Sequence, residues 1–403
     1  MKGCIIQRGP ETWLLKFDVG RDPLTGKRIT RYATVHGGKR DAQRELSKYL
    51  AQVGDGVYID PSKLTVGDYL AQHWLAHIRN QVTGSAADRY SDIVNKHLVP
   101  ALGKHRLARL SPAQVQAYYD AELATGRRPH PLKKKTAPAS GLSARTVRLH
   151  HKVLNQALRH AVKVQWIARN PCDAASPPRV DYKEMPALDH DQAAAVIKAA
   201  AGSRIYVAVL LALTTGMRRG EILGLRWRDL DLDAGQLSVS QALEQTRRGL
   251  VIKAPKTARS RRMIILPALA VEALRTHKAQ QREEYLRLGF GKDDDDLVVT
   301  EITIATVPAG RREIARKPMT PDHLSKEFCR LSRRLGLKVR FHDLRHTHAT
   351  HLLKAGVHPK VASERLGHAS VAITLDTYSH VLPGLQEDAA RGVDAALRKA
   401  LER

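Results

Sequence analysis

The spacing of hydrophobic and polar residues near the start of the chain is that of β-strands. Residues 13–19 and 28–35 are rich in β-branched and aromatic residues, and a turn that contains Pro23 and Gly26 separates them. Two such runs around a short turn predict a β-hairpin. Residues 39–53 follow with a helical pattern and would cover one face of the sheet. We therefore expect a small N-terminal module of strands and one helix.

The middle of the chain has the spacing of helices. Residues 54–62 and 170–178 contain the Gly and Pro residues of linkers. Between these linkers, four segments carry apolar residues at i, i+3 and i+4. The remainder, residues 183–403, predicts one mixed domain of helices with a strand-rich insert around residues 237–266. The four helical segments are residues 65–78, 86–98, 111–124 and 143–164.

The charge of the chain adds a functional expectation to this outline. Of its 403 residues, 67 are Lys or Arg and 40 are Asp or Glu, which gives a formal net charge of +27. The hydrophobic content of 43% is that of a globular protein. A positive excess spread along the whole chain indicates a polyanionic partner, and nucleic acid is the most common one.

The cysteines and the apolar segments bear on location. Cys4, Cys172 and Cys329 lie far apart and lack the spacing of a disulfide framework or a zinc site. A reducing cytosol suits them best. The N-terminal residues show no secretory pattern, and no later segment approaches 18 uninterrupted apolar residues. We therefore expect neither secretion nor a membrane span.

Residues 214–223 form the first of four clusters that are candidates for chemistry. Thr215 is expected to cap a helix, which would place Arg218 near the first turn, where the helix dipole disfavours a cation. A phosphate at that end would accept hydrogen bonds from the backbone and from the guanidinium. Glu221, three residues after Arg218, would orient the arginine. A solvated arginine without a ligand is the alternative.

The second cluster is the basic stretch 253–262, which a short strand follows. The stretch predicts the tip of a hairpin. A lysine at such a tip can reach a substrate oxygen, but a simple cationic loop is the alternative.

The third cluster, residues 341–351, is rich in histidine. On a helix, His342, Arg345 and His346 share one face, because they are spaced at i, i+3 and i+4. Two imidazoles four residues apart also suit a metal. However, Asp343 stands where the helical zinc motif of metalloproteases has a glutamate, and the cation of Arg345 faces the same way. Phosphate binding is therefore the better interpretation.

The fourth cluster comprises residues 358–370 and leads to Tyr378. A helix, a turn at Gly367 and a second helix are typical of a helix-turn-helix motif, so plain DNA binding is one interpretation. Tyr378 also has a simpler alternative, since most tyrosines only pack in a core. No single cluster decides the function.

Taken together and in this order, the clusters resemble the tyrosine recombinase family, the phage-integrase type of site-specific recombinase. The pattern of that family is a T-G-x-R motif, a lysine in a β-hairpin, an H-x-x-R motif, an L-G-H motif and a tyrosine shortly after it. Lys256 matches the hairpin lysine better than Lys253, because it directly follows Pro255 and precedes Thr257. The matching stretches are Thr215-Gly216-Met217-Arg218, Pro255-Lys256-Thr257, His342-Asp343-Leu344-Arg345, Leu366-Gly367-His368 and Leu375-Asp376-Thr377-Tyr378.

The resemblance implies a multidomain fold. Residues 1–58 are similar to the arm-type DNA-binding domain of mobile-element integrases, a three-stranded sheet with a helix. Residues 62–178 are similar to the all-α, SAM-like core-binding domain. Residues 183–403 would form the catalytic domain, which is mainly α-helical with a small antiparallel sheet and ends in a tail helix.

The resemblance also implies a mechanism. The tyrosine attacks a DNA phosphodiester, which leaves a 3′-phosphotyrosine and a free 5′-hydroxyl. Two arginines and a histidine bind the non-bridging oxygens, a second histidine accepts a proton or binds the phosphate, and the lysine is the general acid. Because the covalent bond conserves the energy of the phosphodiester, no cofactor and no metal are implied. In that order, these residues are Tyr378, Arg218, Arg345, His368, His342 and Lys256.

The implied partners are double-stranded DNA attachment sites and further copies of the chain. Four copies would assemble on two DNA sites through the amphipathic tail, residues 385–401, and an excision factor is a further partner of such enzymes. The implied location is the cytoplasm of a bacterial host, at the nucleoid. Two alternatives remain. One is a type IB topoisomerase, which needs no second DNA site, and the other is a non-catalytic DNA-binding regulator.

Overall fold

The computed structural model divides the chain into two compact units, Met1–Asp181 and Tyr182–Arg403. The described residues are 3–21, 28–54, 64–128, 140–181, 186–254, 261–291, 295–306, 312–368, 370–378 and 385–402.

The first unit begins with an antiparallel sheet of three strands, the second in the middle. Along the middle strand, Leu15 and Phe17 are buried while Lys16 between them is exposed, as the alternation of side chains in a strand requires. Phe17 stacks on Tyr49 of the following helix, with ring centroids 5.0 Å apart. The antiparallel pairing of the two predicted strands and the predicted helix are confirmed, while the predicted turn with Pro23 and Gly26 lies outside the described residues. The elements are β1 Gly3–Gly9, β2 Thr12–Arg21, β3 Arg28–His36 and α1 Lys39–Gly54.

The regular elements in the rest of the first unit, over residues 64–128 and 140–181, are helices, and the four predicted helical segments are confirmed. Its core is aromatic, with Tyr69, Trp74 and Tyr119 fully buried. Two of the helices contain a π-helical turn, Tyr69–Trp74 and Val94–Leu98. The α-helices are α2 Val66–Asp68, α3 Leu75–Arg79, α4 Gly84–Ile93, α5 Val99–Leu102, α6 Pro112–Thr125 and α7 Ala144–Lys163, with short 3₁₀ turns at Leu107–Arg109 and Pro171–Ala174.

The second unit begins with two helices, of which the second, Tyr206–Thr215, is buried along nearly its whole length. Its sequence is almost uniformly apolar, and a helix that is apolar on all sides belongs inside a core. A strand-rich segment follows, as predicted around residues 237–266. The elements up to this point are α8 His190–Ala200, α9 Tyr206–Thr215, α10 Arg219–Leu223, β4 Leu230–Asp231, β5 Gln236–Val239, β6 Ala242–Thr246, β7 Gly249–Lys253 and β8 Arg262–Ile265.

These strands form an antiparallel sheet in the order β4-β5-β8 and a separate hairpin of β6 and β7. A second hairpin further along, β9 with β10, was not predicted from the sequence. The remaining helices of the described residues include the histidine-rich cluster and the tail. The elements are α11 Ala268–Arg287, β9 Thr300–Thr306, β10 Arg312–Pro318, α12 Pro321–Arg334, α13 Asp343–Lys354, α14 Pro359–Leu366, α15 Val371–Tyr378 and α16 Leu385–Leu401.

The predicted fold class is therefore confirmed. The chain has a three-stranded α/β module, an all-α bundle, and a mainly α-helical unit with a small antiparallel sheet. Among the helices of the described ranges, none is both long and apolar enough to cross a membrane.

Candidate active site

Helix α9 ends directly before the first arginine of the predicted site. Gly216 closes it in the left-handed region, with φ +67°. A Cβ there would lie 2.7 Å from the side chains of His348 and Leu366, so the turn needs glycine both for its backbone and for this close approach. The prediction that Thr215 caps the start of a helix is wrong. The apolar run before it continues the helix through Thr215, whose hydroxyl donates to the carbonyl of Leu211.

Arg218 itself occupies the capping position of α10, and Glu221 holds it in place. The backbone N–H of Arg218 donates to Oε2 of Glu221 over 2.9 Å, and Nη1 donates to Oε1 over 2.8 Å. Nη2 donates to the carbonyl of Gly367 over 2.7 Å. The hypothesis that Glu221 orients Arg218 is thus confirmed. The arginine side chain keeps 40% exposure and stays accessible.

Arg345 lies in the first turn of α13 and is almost completely buried, with 4% exposure. Its Nη1 donates to the carbonyl of Gly216 over 2.6 Å, which joins the H-x-x-R segment to the T-G-x-R turn. His342 is the residue just before α13, and its ring meets that of His346 edge to face at 5.0 Å. The third cluster therefore places its imidazoles side by side, as predicted.

His368 follows α14, which ends in a second left-handed glycine, Gly367, with φ +67°. A Cβ on this glycine would lie 2.9 Å from Nη1 of Arg262. Nδ1 of His368 is 2.8 Å from the hydroxyl of Thr374, a fully buried residue of α15. This contact fixes the ring and leaves Nε2 as its other hydrogen-bonding atom.

The charges of these segments act on the same imidazoles, which indicates that the segments converge. Burial, with the charges of Arg345 and Arg218, lowers the pKa of His368 to about 4. Burial and the charge of Arg345 lower the pKa of His342 as well. Both rings are therefore neutral at pH 7 in a site whose fixed charges are positive. An anion bound there would favour the protonated imidazoles and raise both pKa values.

Two of the six predicted residues are described only in part or not at all. Tyr378 is the last residue of α15, the helix that also carries Thr374, and its side chain lies outside the described part of the structure. Lys256 lies outside the described residues. The neighbouring lysine, Lys253, ends β7, and its ammonium group pairs with the carboxylate of Glu244 on β6.

The sequence did not identify one buried arginine that belongs to the same network. Arg262, with 6% exposure of its side chain, donates from Nη2 to Oε2 of Glu221 over 2.8 Å and from Nη1 to Oε1 over 3.2 Å. Its Nε donates to the carbonyl of Arg365 over 2.8 Å. In return, Nη2 of Arg365 donates to the carbonyl of Ile265 over 3.0 Å. This reciprocal pair joins β8 to α14, whereas the sequence showed only a cationic stretch.

Glu221 is thus a buried carboxylate between two arginines. Burial by itself raises the pKa of Glu221, but the hydrogen bonds and charges of Arg262 and Arg218 outweigh burial and hold that pKa below its usual value. The carboxylate therefore stays ionised at pH 7. It neutralises part of the positive charge of the two arginines and fixes the plane of Arg218.

A second basic surface lies on the first unit, along α7. Four polar side chains at helical spacing, Arg148, Lys152, Gln156 and Arg159, are exposed on one face. They border a groove of about 360 Å³. Cations on one helix face beside an amide side chain have the composition of a surface that binds a nucleic acid backbone.

Comparison with known proteins gives matches to two families. Residues 186–384 match the phage integrase family. Residues 65–123 match the N-terminal SAM-like domain of phage integrases. The first range contains both arginine motifs and the L-G-H motif, and the second falls in the helical part of the first unit.

Two relatives match almost the whole chain. A tyrosine recombinase XerC-like protein of Caldanaerobacter subterraneus subsp. tengcongensis is 26% identical over 396 residues, which cover 94% of each chain. An integrase of Streptomyces ambofaciens is 27% identical over 391 residues, which cover 94% of this chain and 92% of that protein.

Two solved structures share the fold. The integrase of transposon Tn1549, in complex with a circular intermediate DNA, matches with a TM-score of 0.62 at 23% identity, over 83% of this chain and all of that chain. A lambda integrase dimer bound to a core site matches with a TM-score of 0.53 at 18% identity, over 93% of each chain.

Proposed function

Since the chain belongs to the phage integrase family of site-specific tyrosine recombinases, we propose that it cuts and rejoins DNA at the cluster built from its T-G-x-R, H-x-x-R and L-G-H segments. It is a site-specific recombinase of mobile elements. The observation that carries the proposal is the convergence of two guanidinium groups and two imidazoles from three separate segments. These residues are Arg218, His342, Arg345 and His368.

The arginines bind the scissile phosphate. Arg218 and Arg345 are each anchored by a hydrogen bond to a backbone carbonyl, of Gly367 and Gly216 respectively. A guanidinium anchored in this way presents its remaining N–H groups in a fixed direction, so little reorganisation is needed when charge develops on the phosphate. His368, held by Thr374, adds a third donor.

Tyr378 is the nucleophile. It ends the helix that carries Thr374, so the residue that fixes His368 and the nucleophile belong to one short element. Attack on the phosphorus forms the tyrosine–phosphate bond and breaks the bond to the 5′-oxygen. His342 accepts a proton or binds the phosphate, and its lowered pKa keeps a neutral imidazole available for either task.

Lys256 is the general acid that protonates the leaving 5′-oxygen. Two observations favour it over Lys253. Lys256 has the family's sequence context between Pro255 and Thr257, and the ammonium group of Lys253 is paired with Glu244 inside its own hairpin. A lysine held in such an ion pair must leave its partner before it can reach a substrate oxygen.

The domains then take separate parts of the DNA. Residues 1–58 form the arm-type binding domain, residues 62–178 the core-binding domain and residues 183–403 the catalytic domain. The basic face of α7, which includes Arg148, Lys152 and Arg159, supports a core-site contact for the second of these domains. Double-stranded attachment sites are the substrate.

The C-terminal tail joins copies of the chain into a tetramer on two DNA sites. Helix α16 exposes Val393, Leu397 and Leu401 at four-residue intervals, which gives an apolar stripe suited to a neighbouring subunit. An excision factor that acts on the same assembly, and location at the bacterial nucleoid, belong to the same proposal.

Covalent trapping and strand exchange test this function together. The wild-type enzyme is incubated with one or two labelled duplexes that carry the attachment sequences of the element. We expect a protein–DNA adduct that survives denaturation, and recombinant products only when both sites are present. Relaxation of a plasmid without a second site would indicate a topoisomerase instead, and DNA binding without any adduct would indicate a regulator.

A further inference from the structure

Three side chains of the first unit, two of them buried and one half-buried, meet at a point that the proposed recombination chemistry does not use. They are His97 in the π-helical turn Val94–Leu98, Glu122 in α6 and His150 in α7. Their side chains are 14%, 5% and 2% exposed. One atom of each, two imidazole nitrogens and a carboxylate oxygen, lie within 4.8 Å of one another.

The distances among these atoms are close to those of a metal site. Oε2 of Glu122 lies 2.7 Å from Nδ1 of His97 and 3.9 Å from Nδ1 of His150. Bonds of about 2.0–2.1 Å to a tetrahedral zinc ion would place neighbouring ligand atoms roughly 3.3 Å apart. The distance from Glu122 to His97 is about 0.6 Å shorter than this value, and the distance from Glu122 to His150 is about 0.6 Å longer. A small movement of the Glu122 carboxylate toward His150 corrects both.

The position of the carboxylate also suits a cation. Glu122 lies in the last turn of α6, where the helix dipole favours positive charge.

Two further polar groups face the cluster. Nη2 of Arg128 lies 3.8 Å from Oε1 of Glu122, on the oxygen that does not face the imidazoles. The hydroxyl of Tyr118 is 2.8 Å from Nδ1 of His150 and would have to release that atom to a metal.

We propose that His97, Glu122 and His150 form a structural site for a divalent metal ion, with Zn²⁺ as its occupant. Two imidazoles and one carboxylate are ligands that zinc prefers, and a water molecule would complete the tetrahedron. The ion would tie the π-helical turn to α6 and α7. It would also neutralise the buried carboxylate. The alternative is a network of hydrogen bonds alone.

Metal titration of the full chain tests the site. The protein is stripped with a chelator, desalted, and titrated with Zn²⁺ against a chromophoric competitor and with Co²⁺ by visible absorption. His97→Gln and Glu122→Gln are compared with His77→Gln, a control at an exposed histidine of the same bundle. Histidines elsewhere contribute equally to all of these proteins, so the difference between them isolates the cluster.

We expect the wild-type protein and His77→Gln to bind one more equivalent of metal than His97→Gln and Glu122→Gln. In His97→Gln and Glu122→Gln, the affinity of this site for the metal should fall by more than about 100-fold. Changes to residues that only contact the ligands of a metal site already weaken binding by about 10- to 100-fold. The temperature of unfolding should rise with Zn²⁺ only in the wild-type protein and in His77→Gln. Identical stoichiometry and affinity in all four proteins would overturn the proposal.

Tyr118→Phe provides a second measurement that does not depend on the stability of the ligand variants. It keeps all three ligands and removes the hydroxyl that competes for Nδ1 of His150. Its metal affinity should equal or exceed that of the wild type, and weaker binding would contradict ligation through this nitrogen. Cleavage of DNA by the stripped protein is measured in parallel. Because the proposed reaction uses no metal, failure of the metal site and failure of the recombinase proposal give different results.

Discussion

At the scale of single residues, Arg218 and Arg345 should act on the reaction more than on DNA affinity. Each would contact one phosphate in an extended footprint, and one such contact contributes about one unit of salt slope. Loss of one donor to a developing oxyanion typically lowers the rate by about 10²- to 10³-fold. We therefore expect Arg218→Ala and Arg345→Ala to lose most cleavage while binding survives. Gel-shift titration and adduct yield on the same duplex measure the two effects. Equal losses of DNA binding and of cleavage would show that these arginines are ordinary contacts to the DNA backbone.

Lys256 can be tested by the atom that it is proposed to protonate. General acid catalysis contributes about 10²- to 10⁴-fold, so Lys256→Ala should lose a factor of that order on normal DNA. A bridging 5′-sulfur departs as a thiolate and needs no proton. On that substrate, Lys256→Ala should cleave at nearly the wild-type rate, while Arg218→Ala should remain slow.

Lys253→Ala is the matched control for this experiment. Because Lys253 is paired with Glu244, its replacement should leave cleavage of both substrates close to normal. If the sulfur substrate rescued Lys253→Ala and not Lys256→Ala, the general acid would be Lys253. Rescue of neither would mean that the proton comes from elsewhere.

Arg262 is a positioning residue in this account. It holds Glu221, which in turn holds Arg218. Arg262→Lys keeps the charge but loses the fork that spans Glu221 and the carbonyl of Arg365. A misplacement of about 1 Å is enough for a loss on the order of 100-fold. We expect cleavage to fall by about 10- to 100-fold on both the oxygen and the sulfur substrate, with DNA binding retained.

Arg261→Lys, at the exposed neighbouring position, is the control and should cleave normally. Rescue of Arg262→Lys by the sulfur substrate would show that Arg262 acts through the hairpin lysine and not through Arg218. Unchanged cleavage in Arg262→Lys would remove it from the account.

The residues proposed to carry the chemistry were easier to propose from the sequence than the residues that support them. Arg218 and His368 lie in short motifs whose glycines are needed for left-handed turns at Gly216 and Gly367, and such local requirements are visible in a sequence. Arg262 is buried by contacts with residues more than 40 positions away in the sequence, such as Glu221 at a separation of 41. Only tertiary packing distinguishes it from the exposed Arg261 beside it.

At the scale of elements, the N-terminal module should be dispensable for cleavage. Its sheet and α1 have their own small core, built on Leu15 and Phe17. Deletion of residues 1–55 should spare cleavage of a core-site duplex and impair recombination between full attachment sites. Equal activity of both proteins on full sites would show that the module is not an arm-binding domain.

Elements with a strong hydrophobic period were predictable, and those without one were not. Helix α7 has apolar residues along one face, and its predicted bounds of 143–164 agree with Ala144–Lys163. The hairpin of β9 and β10 alternates only over a few residues, at Ile302 and Ile304 of β9, and charged residues interrupt the pattern in β10. Thr215 was wrongly predicted at the start of a helix, because a β-branched residue before a glycine suits either the end of one helix or the start of the next. The buried apolar residues of α9 continue the helix through Thr215.

At the scale of the whole molecule, the net charge of +27 serves two surfaces with different demands. The basic face of α7 is exposed and includes Arg148 and Arg159, whereas Arg345 of the proposed catalytic cluster is buried. Salt screens exposed charges more strongly than buried ones. Ionic strength should therefore act mainly on DNA affinity, while the chemical step, measured at saturating protein, depends on the buried network.

We expect Tyr378 to carry the DNA in a covalent intermediate. The most direct measurement is mass spectrometry of the adduct trapped on a nicked suicide duplex, after digestion of the protein and of the DNA. We expect a nucleotide attached through a 3′-phosphate to the peptide that contains Tyr378, and no adduct with Tyr378→Phe, which should still bind its core site nearly normally. A nucleotide found on any other residue, or an adduct that persists in Tyr378→Phe, would contradict the account.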